Sequence, residues 1–390
     1  MTMKGANFLE KLLDDQPVEW KKLGEIGIFQ RGTSFQKKHF TDEGIPCIHY
    51  GQIYTRYNLS AEEAISFLSP EFASRARKAQ SGDLIIATTS ENDEDVCKAI
   101  AWEGQEEVVV SNDACFYHHM MHPRYVAYFF QTEQFQKQKR SYITGTKVRR
   151  VNANDLARIE IPLPPLSVQS RIVEILDKFT SLEAELEAEL DCRKRQYIYY
   201  RELLLDFSQH NHIQWKKLGE VCEVLRGRRL TKKQLSQDKE GFAVYHGGIV
   251  PIGYYPTANR KANSTMVINV GASAGTVGFS RERFWSSDGC FCFTESPILL
   301  QRFLFYYLQS IEHKIKSKVR VAGIPTLDAN ILYNLEIPIP PLSEQARIVE
   351  ILDKFDTLTN SISEGLPLEI QLRRQQYEYY REQLLDFRRF

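Results

Sequence analysis

At 390 residues the chain is too long for one ordinary core and fits two domains plus connecting elements. It is 43% hydrophobic and 26% charged, and its 50 basic side chains balance its 50 acidic ones, which excludes a disordered chain and any reading from net charge alone. No apolar run reaches the roughly 18 residues of a membrane span, the start MTMKGANFLEKLLDD has no signal-peptide core, and seven cysteines without a CxxC pair point to reduced thiols in a cytoplasm.

The first element expected is a helix within residues 1–17, where Phe8 to Asp14 reads FLEKLLD. A first globule follows over 18–157. It opens with WKKLGEIGIFQRG from Trp20, and short β-rich runs (DLIIATT, EVVVSND) alternate with Gly, Pro and Asn turns. A helical stretch, YVAYFFQTEQFQKQKR, starts at Tyr125. The pattern is that of a small α/β unit.

Residues 158–212 carry a strand-like run at Ile159 and Ile161, then Pro-Pro-Leu-Ser, then a long helix. The prolines stop the strand and Ser167 can cap the helix. Its apolar residues, among them Ile172, Leu176, Phe179, Leu186, Tyr197, Tyr200 and Leu204, recur at three- and four-residue steps, close to a heptad seam. Helix-to-helix packing is the ordinary reading of these positions, the tyrosines included.

The pattern then repeats. A second globule over 213–333 opens with WKKLGEVCEVLRG from Trp215, and a second helical region over 334–390 has its seam at Ile348, Leu352, Phe355, Tyr377 and Tyr380. Ile161 to Leu182 and Ile337 to Leu358 share 17 of 22 positions; Arg193 to Phe207 and Arg373 to Phe387 share 11 of 15. FLEKLLD echoes both helix ends, so the order helix tail, globule, helix, globule, helix suggests a circular layout with a pseudo-two-fold axis. The second helix meets Gly365 and Pro367, which predict a break that the first lacks. The globules barely resemble each other: 18–157 has a net charge of −1 and 213–333 of +8.

No P-loop, no methyltransferase tetrapeptide after a glycine-rich turn and no nucleophile elbow are present. Asp93, Glu94, Asp95 and Lys98 form the nearest nuclease-like cluster but sit in a polar loop, and His118, His119 and His122 near Cys115 read as surface or structural histidines, so no catalytic residue and no metal ligand is assigned. Basic and aromatic residues do interleave. In the first globule these are Arg31, Tyr50, Lys137, Lys139, Arg140, Tyr142, Lys147, Arg149 and Arg150; in the second, Arg226, Arg228, Arg229, Lys232, Lys233, Tyr245, Lys314, Lys316, Lys318 and Arg320. Lysine and arginine neutralise phosphates, and arginine can fork onto a guanine edge. Any one of them can equally be a solvated loop charge; together they favour DNA contact.

The two copies of IPxPPLSxQxRIVEILDKF, the RxxQYxYYRExLLDF ends and the SEGLP interruption resemble the conserved regions of type I restriction–modification specificity subunits. The resemblance spans the whole layout and is weak inside the globules. It implies an α+β protein with two α/β target recognition domains joined by two long antiparallel helical regions in a coiled coil. Each globule would read one half of a split, asymmetric site on double-stranded DNA. Two modification (methyltransferase) subunits would dock on the repeats and two ATP-dependent nuclease (restriction) subunits would join them. S-adenosylmethionine, ATP and magnesium would be used by those partners and not by this chain. A helix over 167–207 would extend about 60 Å, a stiff spacer between two weak readers. A self-contained nuclease or methyltransferase and a coiled-coil protein-binding scaffold are the alternatives.

Overall fold

The structure is a computed structural model that describes residues 9, 12, 13, 17–209, 213–361 and 363–387. Of the expected helix within 1–17, Leu9, Leu12 and Leu13 are helical; the other positions before Pro17 lie outside the described residues. The chain is α+β and divides into two compact units, residues 1–185 with 371–390, and residues 186–370.

The first unit contains two five-stranded sheets. One has the order Gly27–Arg31, Ala114–His119, Leu84–Ala87, Ala99–Trp102, Ser60–Ala61; the other runs Phe40–Thr41, Ser66–Leu68, Ile45–Ile48, Val108–Val110, Lys78–Ala79. Leu84–Ala87, Ala99–Trp102 and Val108–Val110 are buried at every position, which is why they read as continuous apolar runs rather than alternating ones. Helix Pro123–Phe129 begins on a proline, where a missing N–H costs little. Thr132 caps the next helix, Glu133–Arg140, its Oγ1 accepting from Phe135 N at 3.2 Å.

The second unit repeats this plan in reduced form. A four-stranded sheet runs Val224–Arg226, Cys290–Phe293, Ser264–Ile268, Val277–Ser280, and a three-stranded one Gly253–Tyr255, Phe242–Tyr245, Trp285–Ser286. In both units the opening repeat pairs antiparallel with the run before Pro-Pro-Leu-Ser: Glu19–Lys22 with Glu160–Leu163, and Gln214–Lys217 with Glu336–Ile339. Each globule is thus tied shut at the point where its helix departs.

Helix Leu166–Leu205 is unbroken over 40 residues. The second repeat is split into Leu342–Asn360 and Leu366–Leu385. Gly365 sits at φ +86°, and a Cβ there would stand 2.5 Å from Thr357 O, so glycine is required at the break. Pro367 then falls in the first turn of the new helix, where it is tolerated.

The seam residues pack within each unit. In the first, Phe179 stacks on Tyr380 (5.3 Å between centroids) and Glu183 binds Arg374, so the two segments run antiparallel. In the second, Phe355 stacks on Tyr200 at 5.5 Å. Ile172, Leu176 and Tyr377 are buried in the first unit's core, Ile348, Leu352 and Tyr197 in the second's; Leu186 and Leu204 are half-buried.

A polar socket fastens each globule to its helix. Asp177 accepts from Tyr128 Oη at 2.7 Å and from Arg124 Nη1 at 2.8 Å; Asp353 accepts from Tyr306 Oη and Arg302 Nε, both at 2.6 Å. Gln169 Oε1 accepts from His122 N at 2.8 Å, and Gln345 Oε1 from Leu300 N at 2.9 Å. The repeated residues therefore keep geometry as well as identity.

Candidate nucleic-acid interface

Strand Gly27–Arg31 forms one edge of its sheet and ends in Arg31-Gly32. Gly32 N donates to Ala114 O at 3.1 Å, and a Cβ on Gly32 would stand 2.1 Å from Ser111 O, so only glycine lets the chain pass here. Arg31 is fixed at its base: Nε donates to Asn112 O at 3.0 Å, and its own carbonyl accepts from Arg77 Nη1 at 2.8 Å. Beside it lies a cleft of about 190 Å³ lined by Arg31, Thr88, Thr89, Asn112, Asp113 and Arg150. Cationic forks, an amide and a carboxylate in one cleft provide the donors and acceptors that base edges and phosphates demand.

The cleft wall is a hairpin. Arg149–Arg150 pairs with Thr89–Ser90, and Thr144 and Arg150 exchange backbone hydrogen bonds at 2.9 Å. Arg150 and Lys147 are exposed. Arg149 is half-buried, bound through Nε to Asp93 Oδ1 at 2.8 Å and through Nη1 to Gly145 O. Tyr50 is half-buried beside His49, whose imidazole is held below its ordinary pKa by burial and by the nearby charge of Lys37.

Lys139 is a correction. It is fully buried, with Nζ donating to Glu94 O at 3.0 Å and Val96 O at 2.8 Å, so it pins the loop from inside and cannot reach a phosphate. Lys137 and Arg140 lie exposed on the same helix, Arg140 3.5 Å from Glu133; Tyr142 packs partly against the core.

In the second unit the same strand end is built again. Arg226 Nε donates to Asp288 O at 3.4 Å, its carbonyl accepts from Arg260 Nη2 at 3.1 Å, and a Cβ on Gly227 would stand 2.1 Å from Ser287 O. Arg228, Arg229, Lys232 and Lys233 follow, all exposed; Tyr245 is half-buried with its ring edge-on to Phe284. The hairpin equivalent to 144–150 is Arg320 to Thr326, bonded at 2.9 and 3.0 Å. The basic clusters therefore do not correspond position by position. Arg320 takes the place of Thr144, and the tip in the second unit exposes Val321 and Ile324 where the first exposes Lys147 and Val148. Lys316 pairs with Glu312, while Lys314 and Lys318 line a groove with Trp215, Tyr307 and Ile311.

The net charge of −1 over residues 18–157 conceals a separation. Arg31 ends one edge strand of its sheet, whereas beyond Ser60–Ala61 at the other edge Glu62, Glu63, Glu103 and Glu106 surround a groove of about 440 Å³. A polyanion is attracted by the first edge and repelled by the second. Sequence reasoning missed Lys37 and Lys38, which are exposed on a short 3-10 turn. Extending the opening repeat past Arg-Gly aligns them with Lys232 and Lys233.

The other candidate chemistry disperses. Asp93 serves Arg149, Asp95 accepts from Asn92 Nδ2 at 2.6 Å, and Lys98 Nζ reaches the Tyr54 and Tyr57 carbonyls at 3.4 Å. His118 Nδ1 meets Asp83 at 2.7 Å, while burial pulls His119 down to about 4 and pushes Cys115 up. Among the described residues no three His, Cys, Asp or Glu side chains gather as a metal site, and no helix is long and apolar enough to cross a membrane.

The family model for the type I restriction modification DNA specificity domain matches residues 17–191 and again 212–372. The specificity subunit of the type I restriction enzyme EcoR124I/EcoR124II from Escherichia coli is 29% identical over 443 aligned residues, covering 99% of this chain and 98% of that protein. A Haemophilus influenzae protein assigned as a type I restriction enzyme specificity subunit is 31% identical over 404, covering 97% and 98%. The fold is similar to the crystal structure of a type I restriction–modification S subunit from M. genitalium, with a TM-score of 0.61 at 14% identity over 96% of this chain and 98% of that one.

Proposed function

The chain belongs to the type I restriction modification DNA specificity family, and on that premise we propose that it reads DNA for a restriction–modification complex, each unit contacting one half of a split, asymmetric duplex site. The observation that supports this most is the sheet-edge Arg-Gly turn. It is built twice on one repeated frame, beside surfaces lined differently in the two units. A frame kept and a lining changed suit one mode of docking and two sequences read.

The chain itself makes and breaks no bonds; it is a specificity component. Two methyltransferase subunits dock on the repeated helices, where Tyr199 and Tyr379 stand exposed at equivalent positions, and two ATP-dependent nuclease subunits join through them. Those partners use S-adenosylmethionine, ATP and magnesium in the cytoplasm. The test is to mix the full chain with its cognate methyltransferase subunit, weigh the complex, and select duplexes from a randomised pool. A complex holding two methyltransferase copies and a two-part consensus is expected. One copy, or binding indifferent to sequence, would overturn the reading.

A further inference from the structure

The globules diverge almost everywhere between their opening and closing repeats, yet one surface segment survives. Arg31-Gly32-x4-Lys37-Lys38 in the first is matched by Arg226-Gly227-x4-Lys232-Lys233 in the second, with the same spacing. The geometry is matched too. Both arginines donate Nε to the carbonyl of the residue after Ser111 or Ser287, at 3.0 and 3.4 Å. Both have their own carbonyl held by a second arginine, Arg77 or Arg260.

Both lysine pairs ride a 3-10 turn closed by a side chain. His39 Nδ1 accepts from Gln36 N at 3.0 Å, and Gln234 Oε1 from Thr231 N at 2.9 Å. The fold explains the glycine and the closing side chain. It gives each arginine one backbone acceptor and the four lysine side chains no partner among the described residues: Arg31, Lys37, Lys38, Arg226, Lys232 and Lys233 are all exposed at a kept spacing, and none forms a salt bridge among the described residues. What two half-sites of different sequence have in common is the sugar–phosphate backbone, which carries the same charge whatever the bases.

We infer that Arg31, Lys37 and Lys38, and equally Arg226, Lys232 and Lys233, form a backbone clamp that seats on DNA phosphates in the same way in each half-site and sets the register in which the diverged loops read bases. This rests on the DNA-reading function proposed above. The residues are positioning residues: they supply affinity and orientation and carry no sequence information. Sequence preference then falls to what differs, such as the Arg150 wall of the first unit and the Arg228–Arg229 pair and Val321–Ile324 tip of the second.

The full chain is compared with Arg31→Gln/Lys37→Gln/Lys38→Gln and Arg226→Gln/Lys232→Gln/Lys233→Gln. Each is titrated over a salt series with the duplex that wild type selects and with a scrambled duplex. Each triple variant is expected to lose affinity for both duplexes by the same factor, about tenfold or more, and to lower the log–log salt slope by about 2–3. Reselection should return the wild-type consensus, and Lys37→Arg/Lys38→Arg should keep wild-type affinity. Where a triple variant melts early, Lys37→Gln/Lys38→Gln alone carries the readout, with a slope change of about 2. An unchanged slope, or a consensus altered in either half, overturns the clamp. Wild type that selects no sequence instead removes the DNA-reading function itself.

Discussion

Gly32 lies so close to Ser111 that a Cβ on the first would stand 2.1 Å from the carbonyl oxygen of the second. Backbone faces backbone, so neither side can yield cheaply. Gly32→Ala should destabilise the first unit by about 1–3 kcal/mol, the usual cost of forcing a methyl into a filled space. Gly227→Ala should do the same in the second, where the carbonyls of Ser286 and Ser287 wait. Thermal melting of both variants checks this; unchanged melting would mean that the strand end slides freely.

His119 predicts an acid-sensitive first unit. Its ring is buried, Nδ1 accepts from Met121 N at 3.2 Å, and Nε2 has no partner among the described residues, so burial lowers the pKa from 6.5 to about 4. The unfolded chain takes up a proton near pH 6.5 that the folded chain refuses until about pH 4. Stability is fully present above the unfolded value and drains as pH falls through that window, by about 3 kcal/mol at most. Urea midpoints measured down the window for wild type and His119→Gln should converge; parallel curves would show that another group sets the acid limb.

Arg149 and Arg150 are neighbours with different work. Arg149 is committed to Asp93 and Gly145, Arg150 faces the cleft. Arg150→Ala should weaken DNA binding and leave the unfolding free energy within the roughly ±0.5 kcal/mol typical of surface changes. Arg149→Ala should instead loosen the loop at 91–95, read as faster amide exchange there. If both variants behave alike, the hairpin acts as one charged unit.

The stacked pairs Phe179–Tyr380 and Phe355–Tyr200 have centroid distances of 5.3 and 5.5 Å and interplanar angles of 22° and 27°. Double-mutant cycles to leucine should return similar coupling in the two, about 0.5–1.5 kcal/mol. Coupling in one pair alone would mean that the repeated geometry hides unequal packing.

How much of this was legible in the chain follows the range of the interactions involved. The helices and the break at Gly365 are set by local periodicity and by one residue's backbone freedom, and a sequence displays both. The repeat boundaries were visible because identity survived there. Strand order was not: Gly27–Arg31 pairs with a strand more than 80 residues away, and nothing near Arg31 records it. Lys139 looked like its neighbours Lys137 and Arg140, since one helical step decides between solvent and core. Lys37 and Lys38 were missed for a different reason. Their signal was spacing across a gap of divergent residues, and it becomes convincing once both turns are seen to close alike.

The socket on the two helices makes the globules unequal tenants. Arg124 brings a second carboxylate from its own globule, Glu103, and asks the helix only for Asp177; Arg302 draws both carboxylates, Asp353 and Asp356, from the helix. At the position of Asp356 the first helix carries Thr180. A second-unit globule grafted onto the first helix would leave a largely enclosed guanidinium with one of its two carboxylate partners missing, whereas the reverse graft would crowd three carboxylates around one. Exchange of reading heads along this frame therefore calls, in either direction, for exchange of that single helix residue as well.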